Sequence, residues 1–232
     1  MAHLKRLLAP SFWRVAKKEK KWVVTPHAGP HPKLYSIPLS IILTHIINIA
    51  NTTTEAKKII RKGEVFVDGK RRKDYAYPVG LFDIVSVPKI NKNYRIVPST
   101  KGLGLLETNE KEINLKICRV DNKSILKKGK TQLNLHDGKN ILVENGNYKT
   151  GDSLLLELPS LKIIEHLPLE KGNVGLISRG TSAGQLGKIK EVIKGTMREP
   201  QRVLCEVDKE DRIVSERNFI VVGKEKPAIK IS

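Results

Sequence analysis

Cysteine is nearly absent from this 232-residue chain: only Cys118 and Cys205 occur, far apart in sequence. Two isolated thiols exclude a disulfide framework and a cysteine-type zinc site, and they fit a reducing cytosol. Aromatic residues are scarce too, at 5%. No stretch reaches the roughly 18 consecutive apolar residues of a membrane span, and the basic start lacks the apolar core of a signal peptide. Acidic side chains are outnumbered, 24 against 43 Lys and Arg, for a formal charge of +19. Such a field favours a polyanionic partner, because each neutralised phosphate releases counterions. An anionic membrane is the rival polyanion. No long helix combines a basic face with a bulky apolar one, so a membrane partner is not expected.

The positive charge is spread along the chain. Residues 1–36 hold eight basic residues against one acidic, and residues 37–90 hold nine against five. The excess continues through 91–170 and 171–232. The length suffices for several small domains with real cores.

Residues 1–36 read as a basic arm. Lys5, Arg6, Arg14, Lys17 and Lys18 surround Phe12 and Trp13, with Trp22 following. Basic groups bind phosphate, and aromatic faces stack on unpaired bases or dock into a groove. Trp13 is the candidate for stacking or docking. The plainer reading is that each ring anchors the arm to the protein's own core. Pro26, Pro30 and Pro32 then make an irregular link that disfavours a helix. His27 and His31 have metal-ligand spacing but no further partners nearby, so no metal is expected.

Residues 37–90 carry the strongest pattern. Leu39, Ile42, Leu43, Ile46, Ile47 and Ala50 form the stripe of a helix with one buried face, and Pro38 suits its first turn. Thr52-Thr53-Thr54-Glu55 spells a capping box for a second helix. That helix presents Lys57, Lys58, Arg61 and Lys62 outside, and Gly63 stops it. Glu64 to Val67 reads as a strand and Asp68-Gly69 as a tight hairpin turn, followed at once by Lys70, Arg71, Arg72 and Lys73. The pattern brings the basic end of the second helix and the hairpin together. A solvated turn is the bland alternative for that quartet; the helix pair and the overall charge favour RNA contact.

Helix, helix, strand and Asp-Gly turn in this order resemble the S-four RNA-binding module. His3 to Trp13, Ala28-Gly29-Pro30-His31, Ser36-Ile37-Pro38-Leu39 and Lys70 to Val85 resemble successive landmarks of the e-type S-four family of small-subunit ribosomal proteins, found in archaea and eukaryotes. The likeness runs nearly end to end. Two departures matter. The family's usual Gly-Pro-Lys-Lys before His3 is absent, which implies fewer N-terminal phosphate contacts. The chain also stops soon after Pro227 without the longer eukaryotic-type tail, which points to an archaeal-type member.

Residues 91–170 read as a β domain, with alternation at Ile113, Leu115 and Ile117 and a turn at Asp137-Gly138. His136 beside Asp137 lacks a nucleophile and a third group in register, so catalysis is not expected. In 171–232, Val174 to Ser178 and Ile189 to Ile193 flank Arg179, Gly180, Gly184, Gly187 and Lys188. The three glycines supply positive φ and close backbone approach. This layout resembles the KOW motif. It is not a phosphate-binding P-loop, because Lys188 is followed by Ile189 rather than Ser or Thr.

The expected architecture is α+β and multi-domain: arm 1–36, S-four-like module 37–90, central β domain 91–170, and KOW/SH3-like β barrel 171–232. The resemblance implies a non-enzymatic constituent of the small ribosomal subunit in the cytoplasm, with ribosomal RNA and neighbouring ribosomal proteins as partners. No cofactor and no small-molecule substrate are implied. The expected RNA contacts are the arm, helix and hairpin cations named above together with Arg179 and Lys188. Asp68, Gly69, Gly180, Gly184 and Gly187 are expected to shape loops. The alternatives are an RNA-modifying enzyme, which needs a large catalytic domain, and a free translation or transcription factor.

Overall fold

A computed structural model describes residues 3–109, 112–126, 129–144, 147–196 and 199–231. The chain divides into two compact units, one running to Val97 with Lys101–Asn114 added, the other comprising Pro98–Thr100 and the chain from Leu115.

In the first unit the strands are β1 (Leu4–Lys5), β2 (Trp22–Val23), β3 (Ile37–Pro38), β4 (Phe66–Val67), β5 (Lys70–Arg71), β6 (Pro78–Val79), β7 (Ile84–Val87), β8 (Lys92–Ser99) and β9 (Gly102–Glu107). The arm folds back on itself, β1 pairing antiparallel with β2. Trp13 is 0% exposed, and its indole N–H donates to the Ser36 carbonyl at 2.9 Å. Base stacking by Trp13 is therefore overturned. Burial gains a large apolar area, and the one polar atom of the ring is satisfied inside. The proline-rich link is held by two histidines: His27 Nδ1 lies 2.9 Å from the Asp74 carboxylate, and His31 Nε2 lies 3.0 Å from that of Asp83.

The first predicted helix differs from expectation. It is a short α-helical start, α1 (Leu39–Ile41), that widens into a π turn over Ile42–Ile46. Leu39, Ile42, Leu43 and Ala50 are buried as their spacing predicts. The Thr44 hydroxyl donates to the Ser40 carbonyl at 2.9 Å, a back-bond that competes with regular helical pairing. The second helix, α2 (Thr53–Lys62), buries Ala56 and Ile60.

The main sheet of this unit runs β5-β4-β7-β8-β9. Residues 92–107, grouped by sequence with the β-rich middle, thus belong to the first sheet. The link from Val87 to Lys92 is short, and β8 pairs antiparallel with β7. Trp13, Ile37, Ile42, Ile60, Val67 and Ile96 sit in one core beneath it.

The second unit adds β10 (Leu115–Ile125), β11 (Thr131–Leu135), β12 (Asn140–Val143), β13 (Ser153–Glu157), β14 (Lys162–Leu167), β15 (Val174–Ile177), β16 (Leu186–Ile193), β17 (Arg202–Val207), β18 (Glu210–Ser215) and β19 (Phe219–Gly223). They form two five-stranded sheets, β12-β11-β10-β13-β14 and β18-β17-β16-β15-β19. Val120, Leu133, Leu154 and Leu156 fill the core of one. Ile189, Val203, Cys205 and Val221 fill the core of the other.

Candidate nucleic-acid interface

Helix α2 is built as its sequence spells. The Thr52 hydroxyl accepts from the Glu55 N–H at 3.2 Å, and the Glu55 carboxylate accepts from the Asn51 N–H at 2.9 Å. Gly63 closes the helix in the left-handed region at φ 75°. Arg61 and Lys62 then occupy the last turn, where the helix dipole favours cations.

The hairpin follows directly. Asp68 and Gly69 have φ of 52° and 71°, the double positive φ of a two-residue turn that matches strand twist. Asp68 also anchors the turn, because its carboxylate accepts from the Ile84 N–H at 3.1 Å and ties the hairpin to β7. Across the pair, Arg71 opposes Phe66 and Lys70 opposes Val67.

Helix end and hairpin share one surface. A methyl group on Gly63 would lie only 2.6 Å from Arg71 Cδ, so the Arg71 stem crosses the end of α2. Rings from the next segment carry further cations. The Lys57 ammonium sits 4.1 Å from the Tyr75 ring centroid, and the Arg72 guanidinium sits 4.4 Å from that of Tyr77. Such stacking holds a cation in place without neutralising it.

Every carboxylate of residues 37–90 is committed elsewhere. Glu55 caps α2, Glu64 pairs with Lys89 at 2.5 Å, Asp68 binds β7, Asp74 binds His27, and Asp83 binds His31. Among the described residues, Lys58, Arg61, Lys62, Lys70, Arg71 and Lys73 have no carboxylate partner, and all six are exposed. Some cations elsewhere are matched by carboxylates: Lys190 faces Glu206 and Asp211, and Lys224 faces Glu165.

The other expected contacts divide by unit. Lys5, Arg14, Lys17 and Lys18 are exposed on the arm. Arg6 is buried, donating to the Ala16 carbonyl at 2.7 Å and the Glu19 carboxylate at 3.1 Å, so its guanidinium ties the arm together. Arg179 and Lys188 are exposed in the second unit. Gly180 and Gly184 take φ of 104° and 89°. Gly187 does not share their positive φ. It lies within β16, where a Cβ would come 2.8 Å from Val207 Cγ2, so close packing is its reason for being glycine.

Sequence reading missed Tyr75 and Tyr77 as cation platforms, although their alternation after the basic quartet was a usable signal. His136 and Asp137 are structural: His136 Nδ1 accepts from the Arg119 N–H at 3.2 Å, and Asp137 binds Lys116. Among the described residues, no group of three or more His, Cys, Asp or Glu could hold a metal ion. None of the described helices is long and apolar enough to cross a membrane.

Comparison with known proteins decides the family. Small ribosomal subunit protein eS4 of Archaeoglobus fulgidus is 42% identical over 232 residues, covering 99% of this chain and 97% of that protein. The chain belongs to the ribosomal family S4e. The S4e family model itself matches residues 90–163, an RS4NT domain matches 2–34, and an S4 domain matches 38–85, the stretch that carries α2 and the hairpin. Small ribosomal subunit protein eS4 of Methanocella arvoryzae is 40% identical over 98% of this chain and 97% of its own length. The crystal structure of the 30S ribosomal protein S4e from Thermoplasma acidophilum has the same fold, with TM-score 0.72 and 24% identity over 85% of this chain and 99% of that one. The α+β architecture with an S4 domain is thus common to this S4e chain and its structural neighbour.

Proposed function

We propose that this chain is a structural constituent of the small ribosomal subunit, in the cytoplasm, and that it grips ribosomal RNA through several basic surfaces. The observation that carries the reading is the set of cations on α2 and the hairpin that no carboxylate of the module neutralises. Phosphates of folded RNA are the complementary charge, and contacts of this kind fix position and register rather than read sequence. The names of the relatives support the same assignment.

Within it, Lys57, Lys58, Arg61, Lys62, Lys70, Arg71, Arg72 and Lys73 form the principal RNA surface. Lys5, Arg14, Lys17 and Lys18 extend it along the arm. Residues 171–232 act as a KOW/SH3-like barrel that offers Arg179 and Lys188 to a further RNA segment. Neighbouring small-subunit proteins complete the surroundings.

Gradient sedimentation of cell extract tests the proposal. A structural constituent stays with the small subunit through moderate salt. Release at low salt with RNA-modifying turnover would replace this reading with an enzymatic one.

A further inference from the structure

The arm and the helical part of the first unit enclose a groove of about 510 Å³. That volume lies in the range of small-ligand sites. Two aromatic rings stand on its walls, Trp22 and Tyr75. Trp22 is 47% exposed, in contrast to the buried Trp13. Among the described residues the indole has no flat stacking partner: His3 is tilted by 46° at 5.3 Å, and the exposed Lys21 ammonium is 5.1 Å from the ring centroid. Tyr75 meets the Lys57 ammonium at 4.1 Å and the His27 ring edge-on.

The same walls hold three buried polar atoms without a hydrogen-bond partner among the described residues: Arg6 Nε, Thr25 Oγ1 and Ser40 Oγ. Orphaned groups of this kind are uncommon, and a polar ligand edge that reached them would satisfy all three. His45 lies on the wall as well. Burial first, and then the Arg6 charge, hold its pKa below the ordinary histidine value. A neutral imidazole offers one donor and one acceptor.

A flat ring to stack on, polar groups at depth and cations at the wall match the demands of an unpaired base. We propose that this groove receives one extrahelical nucleobase of the bound RNA, stacked on Trp22, with its edge hydrogen-bonded to Arg6, Thr25 and Ser40. Lys57 joins the site to the phosphate-binding surface of α2. The inference rests on the RNA-binding reading above and adds to it a base-specific pocket.

The test compares two short RNA duplexes that differ by one extrahelical 2-aminopurine. The full-length chain should bind the bulged duplex about five- to a hundredfold more tightly. Binding should change the 2-aminopurine fluorescence and quench the emission of Trp22, the solvent-accessible indole. Trp22→Leu should erase the preference while leaving affinity for the paired duplex and its salt dependence unchanged. Ser40→Ala should reduce the preference without altering Trp22 emission in the free protein. Equal affinity of the unsubstituted chain for both duplexes, or a preference that survives Trp22→Leu, would overturn the pocket and leave the RNA-binding reading intact. Equal quenching by free adenosine monophosphate would reassign the groove to a free nucleotide. Failure to bind either duplex at low salt would remove the RNA-binding reading and the pocket with it.

Discussion

The Lys116 ammonium lies 3.0 Å from the Asp137 carboxylate, with both side chains completely buried. Lys139 adds a second cation at 3.1 Å, and the Lys139 N–H donates to the same carboxylate group at 3.2 Å. The pair staples the hairpin turn after β11 to the start of β10. Removing one partner of such a pair costs about 3–5 kcal/mol when it leaves a wholly stranded charge. Lys116→Met leaves Asp137 with Lys139, so it should lower the stability of the second unit in urea denaturation by less than that full cost.

The same pair sets a pH dependence. Burial pushes the Asp137 carboxyl upward, but Lys116, His136 and Lys139 outweigh it and hold the pKa well below the usual carboxylate range. A depressed folded pKa gives stability that is fully present above the unfolded value, about 3.9, and is lost as pH falls towards the folded value. Urea midpoints should decline from about pH 5 downward, and the decline should be shallower in Asp137→Asn, which starts from lower stability at neutral pH.

The buried pair of His31 and Asp83 makes a different demand on its neighbour. A methyl group on Gly80 would lie 2.3 Å from the His31 ring. Gly80→Ala should displace the ring and loosen the link, with a loss of about 1–3 kcal/mol. Thermal unfolding checks this. Gly129→Ala tests backbone strain at φ 72° instead, because among the described residues, its chain neighbours aside, no atom lies within 4 Å of a Cβ added there.

Capping and RNA binding should separate cleanly. Thr52→Ala removes the hydroxyl that accepts from Glu55 N–H and should cost about 1 kcal/mol of stability. The slope of RNA affinity against salt should not change, because Thr52 carries no charge. A changed slope would mean that the start of α2 is itself part of the phosphate-binding surface.

Local signals explain what was readable in the sequence. The Thr52–Glu55 box, Gly63 and the Asp68-Gly69 turn each act within a few residues, and each does what its spelling implies. Burial is decided by partners distant in sequence. Trp13 and Trp22 look alike in the arm, yet Trp13 is enclosed by Ser36 and the core, while Trp22 lies on an exposed strand. Arg6 is indistinguishable from Lys5 in sequence; only the folded arm brings Glu19 and Ala16 to it. The π turn at Ile42–Ile46 keeps the apolar stripe of an ordinary helix, so periodicity could not reveal it. Sequence grouping puts β8 and β9 with the wrong neighbours because pairing, unlike strand propensity, is a non-local choice.

The central claim is that the unneutralised cations of the hairpin hold RNA phosphates. Its most direct test is the salt dependence of binding to small-subunit ribosomal RNA, measured for the unsubstituted chain and for a variant with Arg71, Arg72 and Lys73 all changed to Ala. The slope of log affinity against log salt should fall in magnitude by about 0.7–0.9 for each phosphate no longer neutralised. Lys190→Ala and Lys224→Ala remove cations that already face carboxylates and should leave the slope nearly unchanged. An unaltered slope in the triple variant would assign the hairpin to solvent and contradict the account.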